Sequence, residues 1–231
     1  MARKKQQAKA SKMRHLITKL NPRSPISEQY RTIRTNLQFS SVDNEIRSFL
    51  VTSAGPSEGK SMTTANLAVV YAQQGKKVLL IDADLRKPTV HYTFKMDNMS
   101  GLSNVLVGDM TLMSAVEPTN VENLHIVSSG PIPPNPSELL GSRKFESMLK
   151  EAKEAYDIVI FDTPPVLAVT DAQILANIVD GSILVVRSKR TETEAAQKAI
   201  ELLKAAKGKV LGTVLNGREK KDHNYYYYYG N

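Results

Sequence analysis

Lys60 and Ser61 close the run Ala54-Gly55-Pro56-Ser57-Glu58-Gly59-Lys60-Ser61, and a lysine and a hydroxyl at the end of a Gly-containing turn suit a polyphosphate. Backbone N–H groups of a turn that closes onto a helix N-terminus converge on an anion, and the helix dipole adds partial positive charge there. Gly59 lets the backbone approach, Lys60 reaches the β- and γ-phosphates of a nucleoside triphosphate, and the Ser61 hydroxyl suits Mg2+. Ala54 stands where such loops usually begin with glycine. The expected nucleotide contacts are Gly55, Pro56, Ser57, Glu58, Gly59, Lys60, Ser61 and Met62, with ATP and Mg2+ as ligands.

Three carboxylates accompany this loop. Asp162 ends the apolar run Ile158-Val159-Ile160-Phe161, and Asp82 and Asp84 end Val78-Leu79-Leu80-Ile81. A single strand-end Asp often does no more than cap the next helix. Three beside one phosphate loop are better explained as a metal and phosphate site at the carboxyl edge of a parallel sheet. If the strand continues, alternation puts Asp82 and Asp84 on one side, both toward the γ-phosphate.

To position these groups the chain must build strands and helices in alternation. Strand-length apolar runs occur at Phe49–Thr52, Val78–Asp82, Leu124–Val127, Ile158–Asp162, Ile183–Val186 and Val210–Leu215, with helical segments at Lys60–Gln74, Ser142–Tyr156, Asp171–Val179 and Glu192–Ala206. That order predicts an α/β fold of the P-loop NTPase kind, a parallel twisted sheet with helices on both faces. Gly75 and Gly208 sit where helix ends favour positive φ. A further helix is expected at Ser27–Phe39 with Ser27 as its N-cap. It carries Glu28, Arg31 and Arg34 at i, i+3 and i+6, broadly on one face. Asn216, past the last strand, is a candidate purine contact by its position in related ATPases, and is equally explicable as a loop-forming Asn.

Composition bounds the rest. The 231 residues suffice for one α/β domain, read as a basic arm (1–24), a P-loop domain (25–217) and a tyrosine-rich tail (218–231). Of the 31 basic residues, eight fall in the arm, at Arg3, Lys4, Lys5, Lys9, Lys12, Arg14, Lys19 and Arg23, leaving 23 against 23 acidic residues elsewhere. The +8 charge therefore describes an arm rather than a nucleic-acid surface, and no specific nucleic-acid partner is expected. The absence of cysteine excludes disulfides and cysteine-ligated clusters. No stretch approaches the ~18 apolar residues of a membrane span, and the N-terminus lacks a signal-peptide core, which predicts a cytoplasmic location.

These residues resemble the bacterial tyrosine kinase family, P-loop kinases of exopolysaccharide and capsule production. The resemblance covers Glu28 to Arg34, the phosphate loop Ser53 to Ser61, Leu80-Ile81-Asp82-Ala83-Asp84-Leu85-Arg86-Lys87-Pro88, Pro133-Pro134-Asn135-Pro136-Ser137-Glu138-Leu139-Leu140, Asp162-Thr163-Pro164-Pro165 and the five tyrosines Tyr225, Tyr226, Tyr227, Tyr228 and Tyr229. It implies an ATP-dependent protein-tyrosine kinase in which Lys60 and Ser61 hold phosphates and Mg2+. Asp84 and Asp162 would help place the metal, Asp82 would accept the tyrosine proton, and the tail would be phosphorylated in trans. It also implies a homo-oligomeric ring joined through Glu28, Arg31 and Arg34, a membrane-embedded modulator that recruits the chain to the inner face of the membrane, other tyrosine-bearing protein substrates, and a counteracting tyrosine phosphatase.

The nearest rival is a non-kinase ATPase switch of the division-site or plasmid-partitioning type. Such proteins usually carry an extra lysine where this chain has Gly55, and they lack a tyrosine tail. The iron–sulfur relatives of the same fold need cysteines that are missing here. An inactive nucleotide-holding subunit fits poorly with intact Lys60, Ser61, Asp82, Asp84 and Asp162.

Overall fold

The computed structural model describes residues 16–40, 45–206 and 208–218. Seven strands, β1 (Ser48–Ser53), β2 (Val78–Asp82), β3 (Glu117–Pro118), β4 (Leu124–Val127), β5 (Ile158–Asp162), β6 (Gly181–Arg187) and β7 (Val210–Asn216), lie side by side in the order β3-β4-β2-β5-β1-β6-β7. Every pairing is parallel except that of β3 with β4. The expected parallel sheet with helices on both faces is found, and the antiparallel edge strand β3 is an addition to it. Two residues are too few to show a period, so it left no mark in the hydrophobic pattern.

Helices cover both faces, which is why the central strands are apolar at successive positions. Phe49, Val51, Leu80, Ile160 and Val185 point to the face carrying α1 (Ile17–Leu20), α2 (Pro25–Phe39) and α3 (Lys60–Ala72). Leu50, Leu79, Ile81, Phe161 and Leu184 point to the other face, covered by α8 (Arg143–Ala155), α9 (Asp171–Ala176) and α10 (Thr193–Ala205). Short helices α4 (Val90–Phe94), α5 (Leu102–Val107), α6 (Leu112–Ala115) and α7 (Pro136–Leu140) fill the loops that follow β2 and β4. None was expected, because four to six residues cannot display helical periodicity.

Three local expectations need correction. The N-cap of α2 is Ser24, whose hydroxyl accepts from the Ser27 N–H at 3.1 Å, since Pro25 belongs at the first helical position. The basic arm is shorter than residues 1–24. Leu16 is buried, and Thr18 donates its N–H (3.1 Å) and hydroxyl (2.8 Å) to Asn66 Oδ1 on α3. Gly208 has no positive φ. A Cβ there would sit 2.8 Å from the Ala176 carbonyl oxygen, so close approach rather than backbone conformation demands glycine, whereas Gly75 does adopt φ +87°. Residues 1–15 of the arm and Tyr225 to Tyr229 lie outside the described residues. Among the described residues no helix is long and apolar enough to cross a membrane.

At the amino edge of the sheet Asp180 ties β1 to β6. Its Oδ2 accepts from the N–H of Arg47 (3.0 Å) and Ser48 (2.8 Å) and from the Ser48 hydroxyl, and its Oδ1 accepts from Lys153 Nζ at 2.7 Å. Burial opposes its charge, but the bonds from Lys153 and Arg47 win and lower its pKa. A depressed folded pKa means stability that is present above the unfolded value of about 3.9 and lost as pH falls through the folded one. Asp180→Ala is therefore expected to lower unfolding stability by about 1–3 kcal/mol at pH 7. The deficit should shrink toward pH 3, as urea titrations at the two pH values would show.

Candidate active site

β2, β5 and β1 are neighbours, so the three motifs leave the sheet from adjacent carboxyl ends. The register sets Asp82 directly opposite Asp162 and Asp162 opposite Val51. Two crosslinks fix the ends further: Thr163 donates its hydroxyl to the Val51 carbonyl at 3.0 Å, and Thr52 donates to that of Pro164 at 2.8 Å.

The phosphate loop runs from β1 into α3, whose N-cap is Gly59 in the left-handed region (φ +98°). Ser57 also has positive φ, +62°, a conformation a non-glycine residue keeps only when its surroundings enforce it. They do so from inside. Glu58 is buried and turns its carboxylate into the loop, where Oε2 accepts from the Ala54 N–H (3.1 Å) and Oε1 from the Thr191 hydroxyl (2.7 Å). Asn216 Nδ2 donates to the Glu58 carbonyl at 2.8 Å and lies where a Cβ on Gly59 would fall, 2.0 Å away. Glu58 and Asn216 were expected as nucleotide contacts, and their side chains also shape the loop from behind. Met62 lies in the first turn of α3, its carbonyl accepting from Asn66 Nδ2.

Lys60 lies across the mouth of this loop. Its ammonium donates to Asp84 Oδ2 at 2.9 Å and stands 3.7 Å from Asp162 Oδ1 and 3.4 Å from Ser61 Oγ. Burial works against its charge, yet the carboxylates of Asp162 and Asp84 outweigh it and the pKa rises, so Lys60 stays protonated. Asp84 Oδ1 is taken by the Lys87 N–H (3.0 Å). Asp162 accepts from the Thr64 hydroxyl at 3.2 Å through Oδ1, while Oδ2 is buried without a hydrogen-bond partner among the described residues. Burial raises the Asp162 pKa against the pull of Lys60.

Asp82 departs from its expected orientation. β2 stops at Asp82, so alternation no longer governs Asp84, and the fully buried Asp82 carboxylate turns into its own loop. Oδ1 accepts from the Asp84 N–H (3.2 Å), and Oδ2 from those of Thr89 (3.0 Å) and Val90 (2.9 Å). Burial, reinforced by the facing Asp162, pushes its pKa up to about 7.

Among the described residues no three His, Cys, Asp or Glu side chains form a cage for a metal ion. Mg2+ asks for less, one or two carboxylates beside phosphate oxygens and water. Ser61, Asp84 and Asp162 are hard oxygen donors, Asp162 Oδ2 is an orphaned buried acceptor, and a lysine cation already occupies their midst. The donor set fits Mg2+ together with a polyphosphate.

Sequence reasoning missed Thr64, Thr191, Arg86, Ser137 and Asp171, all joined to this region. Thr64 had a readable signal, one helical turn after Lys60 on the same face. Glu28, Arg31 and Arg34 are elsewhere. Glu28 and Arg31 pair on the exposed side of α2, and Arg31 also donates to the Pro22 carbonyl. Arg34 turns inward and donates to the Val70 carbonyl at 2.8 Å, about 15 Å along α3 from Lys60. The single charged face expected from their spacing is thus divided, because each three-residue step falls about 60° short of a full turn.

Known proteins resemble the chain over nearly all its length. Residues 55–213 match a family model described as an AAA domain. Tyrosine-protein kinase YwqD of Bacillus subtilis is 56% identical, over 94% of this chain and 92% of the relative. The putative tyrosine-protein kinase CapB of Staphylococcus aureus is 49% identical, over 90% and 92%. Among solved structures, the chimerical protein CapA2B2 superposes with a TM-score of 0.86 at 44% identity, covering 89% of this chain and 90% of that one. The septum site-determining protein MinD of Pyrococcus horikoshii, complexed with Mg-ADP, follows with a TM-score of 0.63 at 28% identity, over 73% and 69%.

Two outcomes test the site. Glu58→Ala frees the Ala54 N–H and is expected to weaken ADP binding about tenfold by calorimetry, with Glu58→Gln close to the parent. Asp82 has a folded pKa above its unfolded value, so its contribution to stability is full below about pH 4 and lost as pH rises through about 7. Without nucleotide, the parent should lose stability over that interval relative to Asp82→Asn, read from paired denaturation curves.

Proposed function

This chain belongs to the bacterial tyrosine kinase family, and from that premise we propose that it transfers the γ-phosphoryl group of Mg-ATP to its own tyrosines Tyr225 to Tyr229 and to tyrosines of other proteins. The observation that carries this reading is Lys60, held charged between Asp84 and Asp162 at the mouth of a preformed phosphate loop. An arriving triphosphate offers the ammonium a stronger partner. Lys60 then swings from the carboxylates to the β- and γ-phosphates and frees Asp84 and Asp162 as oxygen donors. Mg2+ bound among Ser61, Asp84 and Asp162 would supply charge neutralisation between the phosphates.

The tyrosine oxygen bonds to the γ-phosphorus as the bond to the β,γ-bridging oxygen breaks and ADP leaves. A phenol with a pKa near ~10 needs its proton removed as it attacks. Asp82, whose burial brings its pKa near neutrality, is the proposed acceptor. Asn216 remains a proposed purine contact through the part of its amide that does not hold the loop.

The family resemblance supports a place in the control of exopolysaccharide or capsule synthesis. It also supports a membrane-embedded modulator that brings the chain to the inner membrane face, and a phosphatase that reverses the reaction. Contact between copies through α2 is proposed to use the exposed Glu28 and the half-buried Arg31, with Arg34 bracing α2 on α3, and to bring each tail to a neighbouring site in a ring. The MinD likeness is a likeness of fold at lower similarity than the kinases, and the Gly55 position and the tyrosine tail favour the kinase reading over an ATPase switch.

After incubation with Mg-ATP, with and without a modulator segment, peptide fragmentation is expected to find phosphate on Tyr225 to Tyr229. Lys60→Met and Asp82→Ala should each reduce it by about 100-fold or more. ATP hydrolysis without phosphotyrosine under both conditions would move the assignment to the ATPase switch.

A further inference from the structure

Arg86 and Ser137 belong to two sequence motifs, Leu85-Arg86-Lys87-Pro88 and Pro133 to Leu140, that phosphate binding leaves unexplained. In the structure they meet. Arg86 Nε donates to Asp171 Oδ2 at 2.9 Å and Nη2 to Asp171 Oδ1 at 3.0 Å, the two-pronged geometry of an arginine fork on a carboxylate. Arg86 Nη2 also donates to Ser137 Oγ (3.0 Å), and the Ser137 hydroxyl donates in turn to Asp171 Oδ1 (2.7 Å), closing a triangle. Asp171 is fully buried, while 37% of the Arg86 side chain remains exposed.

The position of this triangle in the chain gives it meaning. Arg86 is two residues beyond Asp84, and the residue after it, Lys87, donates its N–H back to Asp84 Oδ1, so the turn from Asp84 to Lys87 is closed around Arg86. Asp171 opens α9 at the end of the loop that leaves β5 at Asp162, and Ser137 lies in α7. One ion pair thus couples the loop carrying Asp84 to the loop that follows Asp162. Folding alone does not require such a pair, since apolar residues of similar volume commonly stabilise a buried position as well or better. A fork on a carboxylate does what an apolar contact or a lysine cannot, because it defines both distance and angle.

We propose that Arg86 is a positioning residue for phosphoryl transfer: its fork on Asp171, closed by Ser137, sets the loop that presents Asp84 to Lys60 and to the bound phosphate. The proposal rests on the site reading above. Placement errors of about 1 Å are enough to slow transfer up to 100-fold, so the tie acts on kcat, while the phosphate loop, anchored separately by Glu58 and Asn216, keeps nucleotide affinity.

The test uses the full chain in three forms: the double variant Arg86→Met with Asp171→Leu, which removes both charges and leaves none buried alone, and the single variants Arg86→Lys and Ser137→Ala. Two readouts are taken. One is amide hydrogen exchange in nucleotide-free protein at Lys87, with amides of α3 as the internal reference. The other is kcat and KM for ATP with a random glutamate–tyrosine copolymer as acceptor. In the double variant, melting close to the parent's, Lys87 exchange faster by about tenfold or more, kcat lower by about tenfold or more and KM within about threefold are expected. Arg86→Lys and Ser137→Ala should fall between it and the parent in both readouts.

A stable double variant with exchange and kcat within twofold of the parent would overturn the proposal. Should that variant fail to fold, Arg86→Lys decides: parental exchange and kcat at a parental melting temperature would overturn it, and a rise in one with a fall in the other would support it. If the parent binds ADP yet modifies neither the copolymer nor its own tyrosines, with or without the modulator segment, the kinase reading fails, and the exchange measurement still judges the tie.

Discussion

One ammonium is paired with two buried carboxylates at the carboxyl end of the sheet, with a third close enough to be felt. Asp82, Asp84 and Asp162 are all buried; Lys60 pairs with Asp84 and Asp162, and Asp82 acts on it through its field. Buried like charges at such range cannot all remain ionised comfortably, so the Asp82 pKa climbs to about 7 and Asp162 rises with it. The resulting local deficit of positive charge is a standing affinity for a further cation. Nucleotide-free protein meets it in part with Lys60. In the proposed reaction a metal held by Ser61, Asp84 and Asp162 would supply the remaining positive charge and leave Lys60 to the phosphates.

Such an arrangement has to be held from outside itself, because its own electrostatics push it apart. Asp82 spends its oxygens on three backbone N–H groups of the following loop, which makes a charged residue the organiser of its own loop. The phosphate loop is strapped from behind by Glu58, by Thr191 after β6 and by Asn216 at the end of β7. Residues far apart in the chain therefore stand together behind one loop. The N-terminal residues from Leu16 join this support through Asn66 on the helix that begins at Lys60.

Much of this was legible beforehand, for stated reasons. Apolar runs ended by Asp or by a Gly-Lys-Ser turn mark strands that deliver chemistry to one edge, and β1, β2 and β5 appeared within a residue or so of their expected bounds. Spacing failed where one side chain had several partners to choose from. Glu28, Arg31 and Arg34 read as one charged face, yet the Val70 carbonyl captured Arg34. Asp82 and Asp84 read as an alternating pair, yet β2 stopped between them. Gly208 looked like a helix cap, whereas the reason for glycine lies 32 positions earlier, at Ala176.

By itself the sequence determined the fold class, the order of the principal elements and where in the chain the Gly-Lys-Ser turn and the three strand-end carboxylates fall. Those depend on local chemistry: hydrophobic period, turn-forming residues and a lysine next to a hydroxyl. Only the tertiary structure decided the partners, with Lys60 on Asp84, Glu58 on Thr191, Arg86 on Asp171 and Asn216 against Gly59. A hydrogen bond or ion pair is a matter of a few tenths of an ångström between groups as far apart in the chain as Glu58 and Asn216, and no local pattern encodes that separation.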